Sequence, residues 1–220
     1  MDGRMKNYIL IIALLIAGSV SAQVSFNAGS STLKGFGTPK WFTGFHLGVE
    51  VPRDDAMSFY GRFTHHFSRA GDSLLISVVA KEVTTTPYVM NIMSISGMNY
   101  SIFEGGTRYY LGDGFDFGWA GYGGTSFMLI YNKVKTTYVD FDEVNYQIDA
   151  STARDGAIIS IGAGLLGGVK YTVPRVGTFY SDFSVSYLFL GQVSNQTMYT
   201  GLYSSLFFGI NIGYRRDLFW

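Results

Sequence analysis

From Trp41 almost to the end of the chain, residues alternate in character with a period of two. In WFTGFHLGVEV, residues 41–51, one side carries Trp41, Thr43, Phe45, Leu47, Val49 and Val51, and the other Phe42, Gly44, His46, Gly48 and Glu50. Successive side chains of an extended strand point to opposite faces, so the pattern specifies strands with one apolar and one small or polar face. Eight such segments follow one another: 41–51, 57–67, 73–83, 100–112, 115–130, 157–172, 178–190 and 202–216. The stretches between them fall into two classes. Residues 68–72, 113–114 and 173–177 are short and carry the Gly, Asp and Pro that tight turns require. Residues 52–56, 84–99, 131–156 and 191–201 include the long polar insertions, although the first of these is short. Residues 88–97 also alternate, and pairing them with 24–28 would make ten strands instead of eight.

The direction of the apolar side decides the architecture. In the seventh segment Phe179, Phe183, Val185, Tyr187 and Phe189 alternate with Tyr180, Asp182, Ser184, Ser186 and Leu188. In the eighth, Leu206, Phe208, Ile210, Ile212 and Tyr214 alternate with Ser205, Phe207, Gly209, Asn211 and Gly213. A soluble sandwich or lipocalin-like barrel points its apolar side inward and covers the outside with charge. Here the second side, built of Gly, Ser, Asn and scattered charges, suits the interior of a barrel whose apolar side meets hydrocarbon. A strand in hydrocarbon must be paired on both edges, and only a closed sheet achieves that. The expected fold is all-β: an eight-stranded antiparallel up-and-down transmembrane β-barrel over residues 41–220, with short turns at one rim and longer loops at the other. Trp41, Tyr109, Tyr110, Trp119, Tyr131, Tyr171, Phe179 and Tyr187 fall near strand ends or on the apolar side, where amphipathic rings sit at headgroup level.

Composition narrows the chemistry. There is no cysteine, which removes disulfides, thiolate catalysis and Cys-ligated metals. Sixteen basic residues balance sixteen acidic ones, leaving no cationic excess for a nucleic-acid surface. The opening MDGRMKNYILIIALLIAGSVSAQ has basic Arg4 and Lys6, an apolar run from Tyr8 to Ala17 and a small-residue end, as a signal peptide over residues 1–22 cleaved after Ala22 requires. That run is shorter than the about 20 residues of a membrane-spanning helix. Residues 23–40, rich in Gly, Ser and Thr, are expected to form a loosely structured leader.

Parity places Glu50, Arg62, Glu104, Arg108, Asp116, Lys170 and Asp182 on the inner side. An eight-stranded barrel is just wide enough inside for side chains, so these charges are expected to form a structural ion-pair network instead of lining a pore. His46 and His66 share the inner side and His65 faces out. Ser58, Ser68 and Asp54 lie near them in sequence, but no nucleophile elbow, phosphate loop or HExxH accompanies them. Asp140, Asp142 and Glu143 lack the ordered ligand spacing of an EF-hand. No cofactor and no metal is expected.

The signal segment, the alternating strands and the ending SLFFGINIGYRRDLFW together resemble the small bacterial outer-membrane β-barrel superfamily, with its OmpA- and OmpX-like membrane domains and "porin family" proteins. The resemblance implies an insertion signal made of Phe208, Ile210, Ile212, Tyr214 and Trp220, from which the intervening RRDL departs. It also implies residence in the cell outer membrane and contact with outer-membrane lipids, lipopolysaccharide and the insertion machinery. A surface partner would meet loops 84–99, 131–156 and 191–201. The superfamily holds structural, adhesive, protective and enzymatic members, so fold alone does not name the activity. The expected function is a non-enzymatic, envelope-structural or surface-interaction role; the alternatives are a small-solute channel and a lipid-modifying enzyme.

Overall fold

The computed structural model describes residues 24–112, 114–148, 155–191 and 201–218. They form nine strands: β1 (Ser25–Gly35), β2 (Phe42–Asp54), β3 (Met57–Ala80), β4 (Val89–Tyr110), β5 (Gly118–Val139), β6 (Tyr146–Ile148), β7 (Gly156–Val173), β8 (Gly177–Gly191) and β9 (Leu206–Asp217). Eight of them close into a ring in the order β1, β2, β3, β4, β5, β7, β8, β9 and back to β1, every neighbour antiparallel. The short β6 adds to the outer end of β3.

Two expectations are corrected. The leader contains a full strand: β1 pairs with β2 and β9 and closes the ring. Its composition hid it, because Phe26 and Leu33 are its only large apolar residues and they lie on opposite faces. Small residues are needed there, since a Cβ on Gly29 would run into the carbonyl oxygen of Ile212 and the ring of His46. The turn expected at 68–72 is absent, and segment 57–67 and residues 73–80 of segment 73–83 belong to the single strand β3. Two register shifts, between His66 and Arg69 and between Ala70 and Ser73, absorb the Ser-Arg-Ala-Gly-Asp run as bulges. Residues 88–97, set between strand and loop by the sequence, form the outer part of β4, paired with β3 and β5.

The ring has eight strands, as expected, but a different eight. Removing the false turn also moves residues 55–56 to the rim that holds 111–117 and 174–176, so all three short connections share one end with both termini of the ring. β3, β5 and β8 end at the other rim, where 36–41 joins β1 to β2. At that end β3, β4, β5 and β6 continue beyond the other strands as a projecting sheet. It has its own small core of Val78, Ala80, Ile92 and Tyr146, flanked by Tyr138 and Phe141.

Burial follows the pleat. Along β8, Phe179, Phe183, Tyr187 and Phe189 are exposed and Tyr180, Asp182, Ser186 and Leu188 are buried. On the outside of the ring wall no Asp, Glu, Lys or Arg stands between Lys34 at the long-loop end and Arg216 at the short-turn end. Phe45, Leu47, Phe103, Phe127, Leu165, Phe183 and Ile212 form a continuous apolar belt there, far larger than a water-soluble monomer ordinarily exposes.

Candidate functional site

The ring interior is stratified. Nearest the short turns lies a charged layer. Glu50 on β2 accepts hydrogen bonds from Arg108 Nη1 at 2.7 Å, from Ser58 Oγ at 2.6 Å and from the Tyr110 hydroxyl. On β3 and β4, Nε and Nη2 of Arg62 donate to Glu104 Oε2 at 3.0 and 2.7 Å, and Tyr60 donates to Glu104 Oε1 at 2.7 Å. Asp182 on β8 joins the two pairs, lying 3.2 Å from Arg62 Nη1 and 3.5 Å from Arg108 Nη2, and accepts from Asn211 Nδ2 at 2.6 Å. The Arg108 guanidinium sits 4.5 Å from the Tyr60 ring centroid and 5.2 Å from that of Tyr122, so aromatic rings pack on the group whose Nη1 and Nη2 meet the carboxylates.

Six of the seven charges assigned to the interior are buried there; Asp116 is the exception. Its side chain is exposed and accepts from the Phe117 amide, and its backbone carbonyl accepts from Lys170 Nζ at 2.7 Å. β5 begins at Gly118, which has φ 86°, so Asp116 lies in a turn where strand parity does not apply. Two charges missed by the sequence reading take part instead. Arg215 lies 3.4 Å from Glu50 Oε1 and 3.5 Å from Asp217 Oδ1, and Asp217 accepts from Ser25 Oγ. Continuing the β9 alternation past Gly213 would have found both. Among the described residues, buried Glu50, Glu104, Asp182 and Asp217 stand against Arg62, Arg108, Lys170 and Arg215, a balance of four and four.

Above the charges lies a neutral polar layer. His46 Nε2 is 2.6 Å from the Tyr180 hydroxyl, and His66 Nε2 is 3.1 Å from Ser31 Oγ, which donates to Asn211 Oδ1 at 2.6 Å. His65 faces outward and meets Ser101 Oγ at 2.9 Å. Ser31 and His66 have the spacing of a nucleophile and its base, but they line a cavity of about 30 Å3 enclosed by Arg62, Glu104 and Phe207. That space suits a water and has no room for an acyl chain. Ser58, considered beside His66 in sequence, is held by Glu50 instead.

The third layer corrects the expectation of a polar interior throughout. Leu33, Phe42, Met98, Tyr100, Ile130, Leu188 and Phe207 pack together inside the long-loop end, with Leu202 closing over them. The Tyr100 hydroxyl donates to the Leu202 carbonyl at 3.0 Å, and its ring meets Phe42 and Phe207 edge-on at 4.8 and 5.4 Å. Of the residues in the expected insertion signal, Phe208, Ile210, Ile212 and Tyr214 alternate along the outward side of β9. Trp220 lies outside the described residues, as does the expected signal peptide.

No family model matches the sequence, and no curated protein matches it. Solved structures do. Neisserial surface protein A superposes with a TM-score of 0.52 at 13% identity, covering 90% of this chain and 97% of that one. A major outer membrane protein from Thermus thermophilus superposes with a TM-score of 0.51 at 13% identity, covering 89% of this chain and 100% of that one. The fold is that of the small outer-membrane β-barrels. In such a barrel the apolar belt is the lipid-facing surface and the stratified interior is the lumen. Among the described residues no cluster of three or more His, Asp or Glu is arranged to hold a metal ion.

Proposed function

We infer that this chain is a non-enzymatic outer-membrane barrel, closed to solutes, that holds a projecting sheet above the membrane for contact with a partner at the cell surface. The observation that carries the reading is the contrast between the two ends of β3, β4 and β5. In the barrel their outward residues are lipid-facing; beyond it the same strands keep a sheet whose outward side still exposes Leu75, Met93, Val89 and Val139. Leu75 stands opposite Met93, and Met93 opposite Val139, so the three form one row across the sheet. An exposed apolar row outside the membrane is a recognition surface by composition.

Export by the segment 1–22, with cleavage after Ala22, and an insertion signal of Phe208, Ile210, Ile212, Tyr214 and Trp220 belong to this reading. So do lipopolysaccharide contacts at the long-loop rim, where Lys34 lies over the Trp41 ring at 5.2 Å and Arg69 bonds Thr43. The three-layered interior weighs against the channel, and the small space beside Ser31 and His66, about 30 Å3, weighs against the lipid-modifying enzyme.

The test uses single cysteines and a photoreactive side chain in intact Gram-negative cells. A cysteine at Thr137 should react with a membrane-impermeant thiol reagent, and cysteines at Ser181 and Gly167 should stay protected. A photoreactive residue at Leu75 or Met93 should yield a discrete cross-linked protein species. Reaction at the wall positions with protection at Thr137 would reverse the orientation, and cross-linking to lipid alone would end the surface-contact role.

A further inference from the structure

One part of the lipid-facing wall is a groove instead of a ridge. At the short-turn end, β9, β1, β2 and β3 run side by side, and the row Tyr214, Ala28, Leu47 crosses three of them. Ala28 and Gly61 leave the floor low, while Phe26, Leu47 and Tyr214 stand up around it, giving an open groove of about 580 Å3 with an apolar lining. Gly61 faces this space directly: a Cβ there would have only Val49 Cγ2 within 4 Å, at 3.8 Å. No described residue fills the groove.

Arg216 marks its short-turn end. It is the residue at which the outward face of β9 regains a charge, opposite Phe26 of β1, and it is exposed. Its neighbours along the strand, Arg215 and Asp217, turn inward to the charged layer, while Arg216 makes no ion pair with any described residue. An open apolar groove that ends in an exposed guanidinium with no ion-pair partner among the described residues has the recognition chemistry of an anionic phosphoglyceride: acyl chain along Ala28 and Gly61, phosphate on Arg216.

We propose that the groove between β9 and β3 is a specific site for one anionic phospholipid of the leaflet at the short-turn rim, with Arg216 as its headgroup anchor. The site rests on the membrane-spanning reading above. It is distinct from annular lipid because the apolar groove and the cation adjoin here, whereas the wall groove lined by Thr125, Ala163, Leu165 and Tyr187 has no cation in its lining.

The test is native mass spectrometry of the full chain, released into mild detergent from vesicles holding equal amounts of phosphatidylglycerol and phosphatidylethanolamine. Wild type should retain one phosphatidylglycerol in preference to phosphatidylethanolamine by about fivefold, the selectivity that one cation confers near an anionic headgroup. Arg216→Gln should retain the two equally. Gly61→Leu, whose Cβ would meet no backbone atom within 4 Å, should retain neither while keeping the heat-dependent gel mobility of a folded barrel. Equal retention by wild type, or unchanged retention in Gly61→Leu, would overturn the site and leave the membrane reading standing. A chain that never enters the vesicles would overturn both.

Discussion

At the scale of the residue, Asp182 is the junction of the interior. Two arginines, an asparagine and, at 3.4 Å, the Tyr122 hydroxyl converge on it. Removing the carboxylate leaves two buried guanidinium groups short of a counter-charge, a change that costs about 3–5 kcal/mol in buried ion pairs. Asp182→Ala should therefore lower the urea-unfolding free energy in lipid vesicles by several times the effect of Asp142→Ala; equal losses would contradict the network. Asp142 itself reads out the projecting sheet. Asn145 Nδ2 donates to its carboxylate at 2.8 Å and the amides of Val144 and Asn145 at 3.0 and 3.3 Å, holding its pKa below the ordinary 3.8. Because the folded value is depressed, its stabilisation of the turn is full above pH 3.8 and is lost as pH falls through that lower value. Amide exchange at Val144 and Asn145 should accelerate across that window, and Asp142→Asn should abolish the pH dependence.

At the scale of the element, β1 is the strand that the sequence disguised. Gly29 lies against β9 and the His46 ring with no room for a side chain, so Gly29→Val should prevent β1 from docking. The measurable result is loss of heat-dependent gel mobility, whereas Ala28→Val on the outward side should keep it. The same comparison explains what could be read in advance. Alternation of large apolar with small residues announced β8 and β9 because one face of each meets hydrocarbon, and parity then aimed Glu50, Arg62, Glu104 and Asp182 inward. β1 carries Ala28, Ser30 and Thr32 on its outward side, so its periodicity is weak, and its strand character comes from pairing with residues far along the chain. The 68–72 run had the chemistry of a turn, but long partners on β4 kept β3 extended and spread the extra residues over two bulges. Asp116 was misplaced because parity holds only within a strand and β5 begins at Gly118, whereas Arg215, inside the expected segment 202–216, was passed over because the alternation was not followed beyond Gly213.

At the scale of the whole molecule, closure is achieved twice in series. The ionic layer blocks the short-turn half of the lumen and the apolar layer under Leu202 blocks the long-loop half. Wild type should accordingly show no steady conductance in planar bilayers. Tyr100→Ala combined with Leu202→Ala should remain silent because the charges still fill the section below, and a stable ohmic pore in either protein would contradict the layered interior. The ring seam carries a further consequence, for kinetics. Ser25 and Asp217 meet across 192 positions of chain, so the contact that completes the ring is also among the most distant in sequence. Until β9 docks on β1, any partial assembly is an open sheet with two bare edges, and none of its lipid-depth backbone at those edges is satisfied. Such a topology concentrates its reward in the final step. The chain gains little from folding piecemeal, closes late and slowly, and once closed can reopen only by surrendering a whole strand at once.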